Sequence, residues 1–143
     1  MDLTTAIPPK LSRMARYKTM KNTFAFGADL VAVGKALGIE SANEVAVILG
    51  IQVFKGIVLK TPVDTGRARA NWMISEGSPQ VATVLGTQAP ATPSPMDFKG
   101  GSRIFITNSL PYIVPLEYGH SKQAPAGMVR VTLAEVQAQA ASF

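Results

Sequence analysis

The chain has 143 residues, 47% of them apolar, which suffices for one domain and excludes a chain disordered by composition. It lacks cysteine and has one histidine, His120, so disulfides and thiol chemistry are excluded and a metal site would need carboxylates that the sequence does not cluster. The net charge is +5, but Lys10, Arg13, Arg16, Lys18 and Lys21 face only Asp2 in the first tract, leaving nine basic and eight acidic residues elsewhere.

Residues 1–23 read as a basic N-terminal arm. Ile7-Pro8-Pro9 favours a polyproline piece, and basic residues two or three apart follow it. Such an arm is either a solvated tail or a segment that orders on an acidic neighbouring subunit or on passing DNA, through Lys10, Arg13 and Arg16. The start lacks the charged-then-apolar layout of a signal peptide, and charge or proline interrupts each long apolar run, so no membrane span is expected.

Residues 24–143 read as a single domain. Phe24 and Phe26 suit an edge strand, and a short helix is expected over 28–37 with Gly38 as its stop. Ser41 and Glu44 have the spacing of a capping box opening a helix over 41–60. That helix is apolar over more than one stripe, with Val47, Ile51, Phe54 and Val58 in one row and Val45, Ile48, Leu49, Val53 and Ile57 widening it. Either a sheet and a second helix sandwich it, or another subunit covers part of it. Gly50 and Gly56 inside it each cost about 1 kcal/mol against alanine, and a close approach of another backbone would account for them.

Thr61-Pro62 stops the helix, and Val63-Asp64-Thr65-Gly66 reads as a tight turn in which Asp64 caps the backbone ahead and Gly66 takes a positive φ. A strand is expected over 67–76, with Ala68, Ala70, Trp72 and Ile74 on one face and Arg67, Arg69, Asn71 and Met73 on the other. Residues 81–85 suit a short strand, 88–101 a long flexible loop rich in Pro, Ala, Ser and Gly, and 103–107 a firm strand. Pro111 suits a first helical position, with Tyr112, Val114, Leu116 and Tyr118 packing and Gly119 ending the turn; a last helix is expected over 127–140 with Val129, Leu133, Val136 and Ala140 as its stripe. The fold class is α+β: a small antiparallel sheet of three to four strands packed against the long helix and the C-terminal helix.

Asp64-Thr65-Gly66 also matches the signature triplet of dimeric aspartic proteases, in which two such aspartates share a proton. Here Arg67 follows in place of a small residue, and Pro62 stands where an extended apolar strand should lead in, so the turn reading is preferred. His120 has no nucleophile partner, and Gly100-Gly101-Ser102 lacks the lysine of a phosphate loop, so no cofactor is expected. Trp72, Tyr112 and Tyr118 read as core or interface packing, since no basic residues alternate with them as single-strand binders require.

Two stretches together, KTPVDTGRARANW over 60–72 and TNSLPYIVPLEYGHSKQAPAGMVR over 107–130, resemble the neck or tail-completion proteins of tailed bacteriophages, with weaker similarity back to Phe24. The resemblance implies a structural virion protein, not an enzyme. Such a protein assembles in the host cytoplasm into a ring, of six copies in that family, that joins the head connector to the tail tube while DNA passes through without specific binding. Tail terminator and head-closure roles belong to the same apparatus. On this reading Arg67 and Arg69 contact a neighbouring subunit's carboxylate, with Glu117 as the candidate acid, and Trp72 and Tyr118 pack at the interface.

Overall fold

The computed structural model describes residues 2–4, 23–25 and 29–142. In chain order the elements are β1 (Asp2–Thr4), β2 (Thr23–Ala25), α1 (Leu30–Leu37), α2 (Ala42–Lys60), α3 (Arg67–Ala70), β3 (Met73–Glu76), β4 (Ile104–Thr107), α4 (Ile113–Glu117) and α5 (Val129–Ala141). The architecture is α+β. Lys10, Arg13, Arg16 and Phe26 lie outside the described residues.

Helix α2 is the centre of the molecule. Ser41 opens it by accepting from the Glu44 amide at 3.4 Å, while the return half of the expected capping box does not form. Val45, Leu49, Val53, Phe54 and Ile57 are buried in the main core with Val33 of α1, Trp72, Ile106 of β4, and Val129, Leu133 and Val136 of α5. Val47 and Ile51 form a smaller cluster with Ile104 on the sheet side. Much of the apolar surface is therefore covered from three directions within the chain, while Leu59 stays 61% exposed. By length and composition α2 would also cross a bilayer, but half of that stretch is buried inside the domain. Gly56 marks the closest approach of α5, because a Cβ there would stand 2.6 Å from the Thr132 methyl.

In α1, Asp29 accepts from the Val31 and Ala32 amides and Gly38 ends the helix at φ 72°. The β3–β4 pair is antiparallel, with Ile74 opposite Ile106 and Glu76 opposite Ile104. On the other side of β4 the backbone of β1 pairs antiparallel, Leu3 opposite Ile106, and β2 runs parallel to β1.

Two expectations are corrected. Residues 67–70 form one turn of helix, not a strand. Gly66 at φ 96° reverses the chain, the Thr65 hydroxyl accepts from the Arg67 amide, and Ala68, Ala70, Asn71 and Trp72 are all buried. Two alanines at period two satisfy a helix as readily as a strand, so four residues of alternation could not separate them. Residues 81–85 form no strand; the Asn71 side chain pairs with Val84 instead of a partner strand doing so. Within the 88–101 loop, residues 94–100 carry local hydrogen bonds. A capped 3-10 turn at Pro95–Asp97 shapes that stretch, Glu76 accepts from the Lys99 and Gly100 amides, and Phe98 packs on the Val47–Ile51–Ile104 cluster.

Candidate functional site

The corner after α2 is closed by residues that follow it. Thr61 donates its hydroxyl to the Ile57 carbonyl at 2.7 Å and accepts the Trp72 indole N–H at 2.7 Å. Arg69 donates to the Leu59 carbonyl at 2.8 Å. The Leu59 carbonyl, which the helix end leaves without an amide partner, is thus satisfied from α3. Asp64 makes no hydrogen bond among the described residues; it is Thr65 that caps the turn, so the role expected of Asp64 passes to its neighbour.

The second stretch locks onto the first at two points. The Gln123 side chain exchanges two hydrogen bonds with the Val63 backbone, at 2.9 and 3.0 Å, and Asn108 donates to the Ala68 carbonyl at 2.9 Å. Behind them lies Glu117, fully buried. Its carboxylate accepts from the Met128, Val129 and Arg130 amides and from the Arg130 guanidinium at 2.9 Å, while Arg130 also donates to the Glu117 carbonyl. Tyr118 stands outside this cluster, with the Arg130 guanidinium 4.5 Å from its ring centroid. Gly127, at φ 90°, leaves the space that Glu117 fills; a Cβ there would meet the carboxylate and the Glu117 carbonyl.

Between the two stretches runs a groove of about 450 Å³, lined by Pro62, Asp64, Arg67, Tyr112, Leu116 and Gln123 among others. Asp64 is exposed at its rim, and the half-buried Arg67 has its Nε shielded from solvent without a hydrogen-bond acceptor. Beside the corner, Asn71 accepts from the Val84 amide at 2.7 Å and donates to its carbonyl at 3.0 Å. That clamp leaves Val81 and Leu85 facing outward, Leu85 at 87% exposure, and Met96 on the 88–101 loop is 93% exposed.

The expected interface residues therefore divide. Arg67 and Tyr118 are accessible. Trp72 is core, and Arg69 is occupied in closing α2. Glu117 offers no free carboxylate to a neighbour, because four donors within its own chain already use it; the structure pairs it internally with Arg130 instead of leaving it open to Arg69 of another subunit. Asn71, Gln123 and Arg130 are the residues that sequence reasoning missed. The alternation puts Asn71 on an outer strand face, and only its place just before Trp72 hints that it turns inward. His120 is exposed, and no group of three or more metal-ligating side chains occurs among the described residues. No family model matches this chain, and no curated protein or solved structure matches it.

Proposed function

We propose that this chain is a structural component of a tailed-phage neck, a tail-completion protein that builds a ring between head connector and tail tube. The observation that carries the reading is the interlock of the two stretches bearing the resemblance: Gln123 on Val63 and Asn108 on Ala68 make them one corner. Their polar side chains are spent on holding shape. Val81, Leu85 and Met96 meanwhile stand outward on segments held by hydrogen bonds, an arrangement that suits contact with other subunits. The basic arm and the 88–101 loop reach the rings above and below, and DNA passes without specific contact. The same proposal takes the sheet as a four-stranded platform in the assembled ring, supported by the β1 and β2 backbone register.

A terminator or head-closure role is the neighbouring reading. The aspartic protease reading finds little support, since Asp64 lies exposed on a turn that enters a helix and Arg67 shares its groove. The test is a phage whose gene for this protein is deleted. Filled heads and finished tails are expected to accumulate unjoined and to join when purified protein is added. Normal joining in its absence would overturn the proposal.

A further inference from the structure

Arg67 carries a cation with no partner among the described residues. Its Nε is buried without an acceptor, as is that of Arg69, but the Arg69 guanidinium still donates to the Leu59 carbonyl, whereas that of Arg67 reaches no acceptor and no ion-pair partner among the described residues; Lys60 and Arg130 both pair, with Glu135 and Glu117. A shielded guanidinium nitrogen left without an acceptor is costly, whereas an exposed lysine is solvated by water. None of the described residues supplies that acceptor, and a carboxylate of another chain would.

The complementary feature lies at the other end of α2. Glu44, exposed in the first turn, has no ion-pair partner among the described residues, and its side chain accepts no hydrogen bond from them. It flanks a shallow groove of about 350 Å³ with the fully outward Met96; Lys99 lines the same groove without reaching it. Sixteen residues of helix from Glu44 to Lys60 correspond to about 24 Å, so Glu44 and Arg67 of one copy cannot meet. We propose that Arg67 is the docking point for Glu44 of a second copy of this chain, so that copies pack head to tail. The carboxylate meets the guanidinium, and Met96 beside it enters the apolar wall of Pro62, Tyr112 and Leu116. A contact between unlike surfaces of identical chains propagates and closes into a ring when its rotation allows. Asp64, on the rim of the receiving groove, opposes the incoming carboxylate and tunes the contact to be weak until neighbouring rings add to it.

This rests on the reading of the chain as self-assembling, but its test is separate from head–tail joining. Self-association of the purified full chain is measured by sedimentation velocity for the wild type, Arg67→Gln, Glu44→Gln, the double variant and Asp64→Asn. Each of the first two single variants is expected to weaken association by about tenfold, the double variant no further than either alone, and raised salt to weaken the wild type. Asp64→Asn is expected to tighten association. Trp72 fluorescence reports whether each variant is folded; if Arg67→Gln is not, Glu44→Gln decides alone, because Glu44 is exposed. A wild type that stays monomeric at every concentration, unchanged association in Glu44→Gln, or additive losses in the double variant would each overturn the Arg67–Glu44 contact while leaving the joining experiment to judge the neck role.

Discussion

Glu117 and Arg130, thirteen positions apart, hold each other twice over: the guanidinium donates to the carboxylate at 2.9 Å and to the Glu117 carbonyl at 2.8 Å. The same carboxylate receives the first amides of α5, so one buried anion ends α4, starts α5 and fixes the angle between them. Its full burial makes the pair necessary once either member is present. Glu117→Ala leaves buried donors unpaired and is expected to destabilise the domain by about 3–5 kcal/mol. Glu117→Gln, which keeps the shape and loses the charge, is expected to cost about 1–3 kcal/mol. Arg130→Ala should cost less than Glu117→Ala, since that side chain is already 43% exposed. Urea unfolding of the three variants gives the order.

Gly127→Ala tests the same knot from the other side. A Cβ there meets the Glu117 carboxylate, and the backbone at φ 90° disfavours any side chain. The substitution is expected to be as damaging as Glu117→Gln or more so. Because both changes break one contact, the combined variant Gly127→Ala with Glu117→Ala should lose much less than the sum of the singles. Additive losses would mean that Gly127 serves only its own backbone.

Helix α2 and the α5 stripe were legible in the sequence, because apolar spacing over thirteen to nineteen residues leaves few alternatives. So was β4, bounded by Gly100-Gly101 and Asn108. The corner was legible as a break but not as a site. Nothing local to Gln123 or Asn71 announces that each imitates a strand edge toward a backbone 60 or 13 positions away. Glu117 looked like a surface acid, since a lone glutamate between Leu116 and Tyr118 gives no sign of a helix N-terminus waiting for it. Its neighbour Gly127 carried the only signal: a glycine just before an amphipathic stripe leaves room for something to enter.

Gly50 and Gly56 separate propensity from packing within one helix. A Cβ at Gly56 would stand 2.6 Å from the Thr132 methyl, which is held because the Thr132 hydroxyl donates to the Met128 carbonyl. At Gly50 the nearest atoms belong to the end of the Ile104 side chain, at 3.2 Å. Alanine gains about 1 kcal/mol of helix propensity at either position. Gly50→Ala is therefore expected to be near neutral, and Gly56→Ala to destabilise by about 1–3 kcal/mol through overpacking against α5. Thermal unfolding distinguishes them; equal effects would mean that α5 shifts freely.

Thr61 both donates and accepts at the end of α2, and its acceptor role serves the only tryptophan of the chain. Thr61→Val keeps the shape and leaves the buried indole N–H unpaired. The expected loss is about 1–3 kcal/mol, together with a blue shift of Trp72 emission as the hydrogen bond vanishes. Trp72→Phe, which removes the donor as well, should combine with Thr61→Val to less than the sum. An unchanged emission spectrum in Thr61→Val would place water at the indole instead.

Asn71 is the one side chain that both ends α3 and holds the 81–85 segment. Its amide donates to the Arg67 carbonyl at 2.8 Å and to Val84, and its oxygen accepts from the Val84 amide. No β-ladder supports that segment, so its position depends on this clamp and on the Thr107 hydroxyl donating to the Gln80 carbonyl at 2.5 Å. Asn71→Ala is expected to release residues 81–85 locally, so that limited proteolysis cuts there at least about tenfold faster. A merely destabilised protein would be cut through global unfolding, at many sites and at a rate that follows its urea midpoint. Local release predicts a single nick that stays fast when stability is restored with a stabilising osmolyte. If the nick slows in step with stability, the segment needs no clamp, and the outward set of Val81 and Leu85 must then be held by the rest of the corner.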